Sequence, residues 1–158
     1  MALSRILPTF AACLLLAGPA ICASPAPVEV VTAAKLRADV AITSNGLATH
    51  PVTLDPASRT IVARRDGPGE VEVHAVLNDV AIVQAGSATL IAGGRVEGGR
   101  ETGPNEHRGG TIVGGQSHIL RAGDVAWIPA GTPHQLIVPK GGSFTYVVVK
   151  TDKAATAP

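Results

Sequence analysis

The sequence predicts an all-β sandwich or barrel with a short N-terminal helical or extended arm. From Thr60 onward, short β-rich runs recur, and Gly, Pro, Asn or Asp separates most of them. No segment in that half keeps helical periodicity over three turns. Of the 158 residues, 46% are hydrophobic and 16% charged, a balance that excludes wholesale disorder. The length suits a single domain.

The first 23 residues, Met1 to Ala23, read as a secretory signal peptide: Arg5, an apolar stretch from Ile6 to Gly18, then small residues up to Ala23. The apolar stretch is short for a bilayer span, and Pro8 interrupts it. A periplasmic or secreted location follows. Residues 24–58 are read as an N-terminal arm. It opens on a Pro/Ala linker (Ser24 to Pro27), continues through a short strand (Val28 to Val31), and has a helix over Thr32 to Ala41 capped by Thr32. Thr43 to Pro56 reads as loop, punctuated by Asn45-Gly46, Pro51 and Pro56.

Residues 59–150 form the barrel, and 151–158 a flexible tail. The expected strands are Thr60–Arg64, Glu70–Ala75, Asp79–Gln84, Ala88–Ala92, Thr111–Val113, His118–Leu120, Asp124–Ile128, Gln135–Val138 and Phe144–Lys150. Residues 93–117 contain nine glycines in 25 residues and read as one long glycine-rich loop. A phosphate-binding loop is rejected there, because no Gly-Lys-Ser/Thr and no following helix are present.

Charge and cysteine usage narrow the chemistry. Thirteen basic and 12 acidic side chains nearly cancel, and loss of the leader removes only Arg5. A neutral chain has no electrostatic footprint for nucleic acid, or for a membrane surface once the leader is gone. Both cysteines, Cys13 and Cys22, fall in the leader, so disulfides, thiolate ligands and cysteine nucleophiles are excluded from the mature chain. There is no Gly-x-Ser-x-Gly elbow and no dinucleotide fingerprint followed by a helix.

The most informative segment is Gly123-Asp-Val-Ala-Trp-Ile-Pro129-Ala-Gly131-Thr-Pro-His134. A turn, a strand and a second rigid turn deliver His134 to the start of the next strand. Upstream, Glu72-Val-His74 is followed by four residues, Asp79, six more residues and Gly86. These two stretches resemble the paired motifs of the cupin superfamily, specifically a small single-domain cupin with a conserved barrel of the cupin 2 type. The second motif matches throughout. In the first the spacing is kept, but Glu72 stands where the first His is usual and Asp79 where Glu is usual. The resemblance runs from Gly69 to Lys150.

The resemblance implies a cupin jelly-roll barrel whose mouth holds a metal or small molecule. Carried over position by position, the metal ligands are Glu72, His74, Asp79 and His134. Residues two apart in a strand face the same way, so Glu72 and His74 converge. Such donors, imidazole and carboxylate without sulfur, suit Fe(II) or Mn(II), with Zn(II) as a further candidate. The residues also admit plainer readings. Glu70, Glu72 and His74 alternating with Val71, Val73 and Ala75 is the pattern of a strand with one wet face. Asn78-Asp79 is equally a turn pair between strands. Trp127 and Tyr146 read as packing residues, and His50, His107 and His118 as loop or surface histidines. Two functions stand side by side: a metal-dependent oxidase, dioxygenase or isomerase acting on a small molecule, or a metal-free cupin that binds or senses a small ligand. A homodimer paired through sheet edges is a further expectation.

Overall fold

The structure is a computed structural model that describes residue 28 and residues 30–52 and 59–153. The leader and the Pro/Ala linker lie outside the described residues, as do 53–58 of the arm and 154–158 of the tail. The described chain is mostly β with one short helix, as the sequence predicts.

Helix α1, Ala33–Asp39, begins where Thr32 accepts a hydrogen bond from the Lys35 amide, satisfying one of the free donors of the first turn. The strands then follow: β1 Leu47–Pro51, β2 Arg59–Arg65, β3 Glu72–His74, β4 Leu77–Ala92, β5 Arg95–Glu97, β6 Arg100–Gly103, β7 Glu106–Arg108, β8 Thr111–Val113, β9 Gln116–Arg121, β10 Val125–Ile128, β11 His134–Ile137 and β12 Phe144–Asp152.

β4 organises the fold. Its first half pairs antiparallel with β12 and β10, and its second half with β9 and β11. β2 and then β1 extend one sheet beyond β12, while β3, β7 and β6 extend the other beyond β11. Two curled antiparallel layers result, sharing one long strand, which is the jelly-roll arrangement. At the point of transfer Gly86 adopts φ +77°, and a Cβ there would lie 1.9 Å from the Ser143 carbonyl oxygen. Only glycine fits both the backbone angle and the contact. The core between the layers includes Ala63, Ala81, Val83, Leu90, Phe144, Tyr146 and Val148.

Several sequence readings need correction. Residues 47–51, expected as loop, form β1 and pair along their length with β2; Pro51 is tolerated because β1 is an edge strand. The described residues of 28–31 form no strand. The two runs 79–84 and 88–92 are one continuous strand, so Asn78-Asp79 is not a turn. The glycine-rich stretch is not one long loop: β5 pairs with β8, and β6 with β7, which itself joins β3. Its glycines supply the left-handed corners between these short strands, with Gly98, Gly99, Gly109 and Gly110 all at positive φ. Trp127, expected to pack, is 58% exposed, because it lies on the outer face of β10.

Candidate metal centre and its cavity

Glu72 and His74 stand two apart on β3 and face the same side, as period-2 geometry requires. The β11–β3 register sets His134 directly opposite Glu72. His134 is delivered by its motif: the Gly131 amide donates to the His74 carbonyl at 2.8 Å, and the Ala130 amide donates to Oδ1 of Asn78 at 3.0 Å. The Pro129–Gly131 corner is thereby tied to β3 and β4. One donor atom from each of Glu72, His74 and His134 lies within 4.8 Å of the others, and both histidines are buried. Asp79, the fourth residue expected from the sequence, is close by on β4. Its Oδ2 lies 3.5 Å from Nε2 of His74 and 3.9 Å from Nε2 of His134. Asp79 is nevertheless not one of the three clustered donors.

The outer nitrogens of both imidazoles are committed elsewhere. Nδ1 of His74 is 2.6 Å from the Glu106 carboxylate, and Nδ1 of His134 is 3.0 Å from the Thr132 carbonyl. Each acceptor places the ring proton on Nδ1 and leaves the Nε2 lone pair facing the cluster. Metal-ligating histidines are oriented in this way. Two inward lone pairs and a carboxylate fit a divalent cation, and Glu72, His74 and His134 form a candidate metal site.

The site contains four charged residues that the sequence reading did not single out. Arg65 on β2 and Arg108 on β7 converge on Oε1 of Glu72, at 3.0 and 2.8 Å. Glu106 on β7 faces His74 across the ladder. Lys150 on β12 pairs directly with Asp79 on β4, and its Nζ lies 2.7 and 2.8 Å from the two carboxylate oxygens and 2.9 Å from Nε2 of His74. A signal for Lys150 was present: Phe144, Tyr146, Val148 and Lys150 share one face of their strand, so a lysine ends an otherwise inward apolar row. Arg65 likewise follows Ile61 and Ala63 on the inward face of β2. Arg108 and Glu106 lay within residues read as loop, which hid their facing.

Electrostatics follow from these contacts. Burial pushes the Glu72 carboxyl up, but the contact with His74 and the charges of Arg108, His134 and Arg65 outweigh it and hold the group at about 2. Glu72 is thus ionised at any ordinary pH. Burial lowers the His74 pKa, yet Glu72, Asp79 and Glu106 together outweigh burial and the Lys150 charge, so the net direction is up. The 2.9 Å Lys150 contact nonetheless requires a neutral Nε2 as acceptor. For His134 burial prevails, and its pKa is lowered, which preserves the neutral ligand form.

Arg65, Glu72, Asp79, Arg108 and Lys150 help to line a cavity of about 160 Å³. Ile61, Ala81, Leu136 and Val148 supply apolar wall, and Tyr146 closes one side with its hydroxyl accepting from Nε of Arg65 at 3.3 Å. Tyr146 is therefore both a packing residue, as expected, and part of the polar wall; burial raises its pKa. The remaining histidines stay outside. His50 lies on β1 near Asp39, His107 points to the Gly98 carbonyl, and His118 is exposed on β9.

No protein-family model matches the sequence, and no curated protein matches it. Among solved structures the chain is similar to an uncharacterized conserved protein with a double-stranded β-helix domain from Klebsiella pneumoniae. That match has a TM-score of 0.57 and 18% identity over 79% of this chain and 90% of that one. A protein of Thermus thermophilus matches with a TM-score of 0.58 and 17% identity, over 79% and 98% of the two chains. A cupin 2 conserved barrel domain protein from Salinispora arenicola matches with a TM-score of 0.50 and 20% identity, over 80% and 91%. At these identities the similarity is one of fold: the cupin, or double-stranded β-helix, fold.

Proposed function

We propose that this cupin-fold chain binds a divalent metal on Glu72, His74 and His134 and uses the adjoining cavity to hold a small oxygen-bearing molecule. The observation that carries the reading is the cluster itself: three buried or half-buried donors within 4.8 Å, their imidazoles oriented by Glu106 and Thr132. The donor set of two imidazoles and one carboxylate favours Fe(II) or Mn(II) and also accepts Zn(II). A metal bound there supplies a Lewis acid for an oxygen atom of the bound molecule. The protein's own share is to keep Glu72 ionised through Arg65 and Arg108, to orient both imidazoles, and to enclose the apolar part of the ligand. Oxidase, dioxygenase and isomerase chemistry are the activities to screen.

The Met1–Ala23 leader supports export, so the proposed setting is the periplasm or the exterior. Fusion of residues 1–30 to a periplasmic reporter tests this; reporter activity confined to the cytoplasm overturns it.

One observation favours a second reading, a metal-free pocket for a small ligand: Lys150 already supplies a cation to His74 and Asp79. Elemental analysis of the chain, purified without chelator or metal-affinity tag, separates the two. Near-stoichiometric iron, manganese or zinc, lost in a His74→Ala/His134→Ala control, supports the metal reading. Protein that is empty and refuses metal on reconstitution supports the metal-free one.

A further inference from the structure

We infer that Lys150 is a tethered cation that holds the inward coordination position of His74, and that a metal reaches this residue only by displacing it. The inference rests on the reading of Glu72, His74 and His134 as metal ligands and adds what governs access to them.

The Lys150 ammonium makes three close contacts, to Oδ1 and Oδ2 of Asp79 at 2.7 and 2.8 Å and to Nε2 of His74 at 2.9 Å. Nε2 has one lone pair, and Nδ1 is committed to Glu106, so His74 cannot serve Lys150 and a metal at once. Among the described residues, the carboxylate Lys150 contacts is that of Asp79; its inward strand neighbours Val148 and Tyr146 carry no charge, and Arg65 and Arg108 already occupy Oε1 of Glu72. A divalent ion at ligand distance from His74 would stand close to the ammonium and repel it strongly in this half-buried setting.

Asp79 is affected in the same way. It occupies the position of the fourth ligand in the motif, yet both its oxygens are taken by Lys150, which sits directly opposite it on the neighbouring strand. Lys150 therefore withholds one ligand's lone pair and neutralises the carboxylate that would complete the set. With no metal present, the same ammonium offsets the negative charge of Asp79, while Arg65 and Arg108 offset that of Glu72. The lysine stabilises the empty centre and opposes the filled one.

The test is titration of the metal-free full chain with Zn(II) alone and Mn(II) alone, in competition with a chromophoric chelator, for wild type, Lys150→Met and Lys150→Arg. Lys150→Met keeps the length and apolar stem without the charge, and the inference expects its Kd to fall at least tenfold while Lys150→Arg gains nothing. If wild type and Lys150→Met bind equally, the inference is overturned and the metal reading stands. Binding by Lys150→Met but not by wild type supports the inference and removes the metal reading for the natural chain. Binding by neither overturns both.

Should Lys150→Met fail to fold, the native chain supplies the measurement. Acetylation of Lys150, read by peptide mass spectrometry against exposed Lys140, is expected to rise severalfold when Zn(II) is added. Unchanged protection of Lys150 overturns the inference.

Discussion

The Glu106 carboxylate meets Nδ1 of His74 at 2.6 Å because the two residues are register partners on β7 and β3. A short charge-assisted contact of this kind sets the tautomer and the ring plane of a ligand whose other nitrogen faces the centre.

Replacing Glu106 with Ala removes that orientation without touching a metal-ligating atom. Metal affinity is expected to fall by about 10- to 100-fold, the usual cost of losing a partner behind a ligating histidine. Isothermal titration of the metal-free variant reads this directly, and an unchanged Kd would show that the imidazole is held by packing alone.

Acid sensitivity should carry the mark of Glu72. Its folded pKa of about 2 lies below the ordinary 4.5, so its stabilising contribution is present above pH 4.5 and is lost as the pH falls towards 2. The contribution is about 3 kcal/mol by linkage, as an order of magnitude. Urea midpoints of the metal-free chain between pH 5 and 2.5 should fall more steeply for wild type than for Glu72→Gln. Parallel profiles would contradict the assignment.

Gly86→Ala is expected to destabilise the chain by about 2 kcal/mol or more, since it strains a left-handed backbone and drives a methyl into the Ser143 carbonyl. Because β4 crosses between the sheets there, the loss should appear as global unfolding at lower denaturant. Wild-type stability in this variant would mean that the crossing bends freely.

Asn78 accepts from the Ala130 amide and donates to the Asp152 carbonyl at 3.2 Å, so it ties the Pro129–Gly131 corner and the end of β12 to β4. Asn78→Ala should cost about 1 to 2 kcal/mol, the typical penalty for leaving a part-buried amide without its acceptor. It should also weaken metal binding, since the corner positions His134. A stability loss with unaltered metal affinity would limit Asn78 to a structural role.

The parts of the centre legible in the sequence are those set by local geometry. The glycines and proline at fixed spacing deliver His134, and alternation along one strand puts Glu72 and His74 on the same face. These are short-range rules, and they mark the all-β class, the helix cap at Thr32 and most strands from Thr60 onward, while the jelly roll is what the cupin resemblance implies. Asp79 was found through the motif, while its plainer reading as a turn residue failed: β4 runs straight through it.

Long-range register decided the rest. Lys150 and Asp79 are 71 residues apart, and Arg108 and Glu72 meet only because β7 folds back onto β3. Nothing in local periodicity encodes which strand lies beside which, and glycine's weak strand preference concealed β5 to β8 within a loop-like composition. Local patterning marks the all-β class, and the resemblance to the cupin motifs names Glu72, His74, Asp79 and His134. Tertiary structure decided that three of them cluster while the fourth is held by a lysine, because only strand pairing brings that ammonium to the centre.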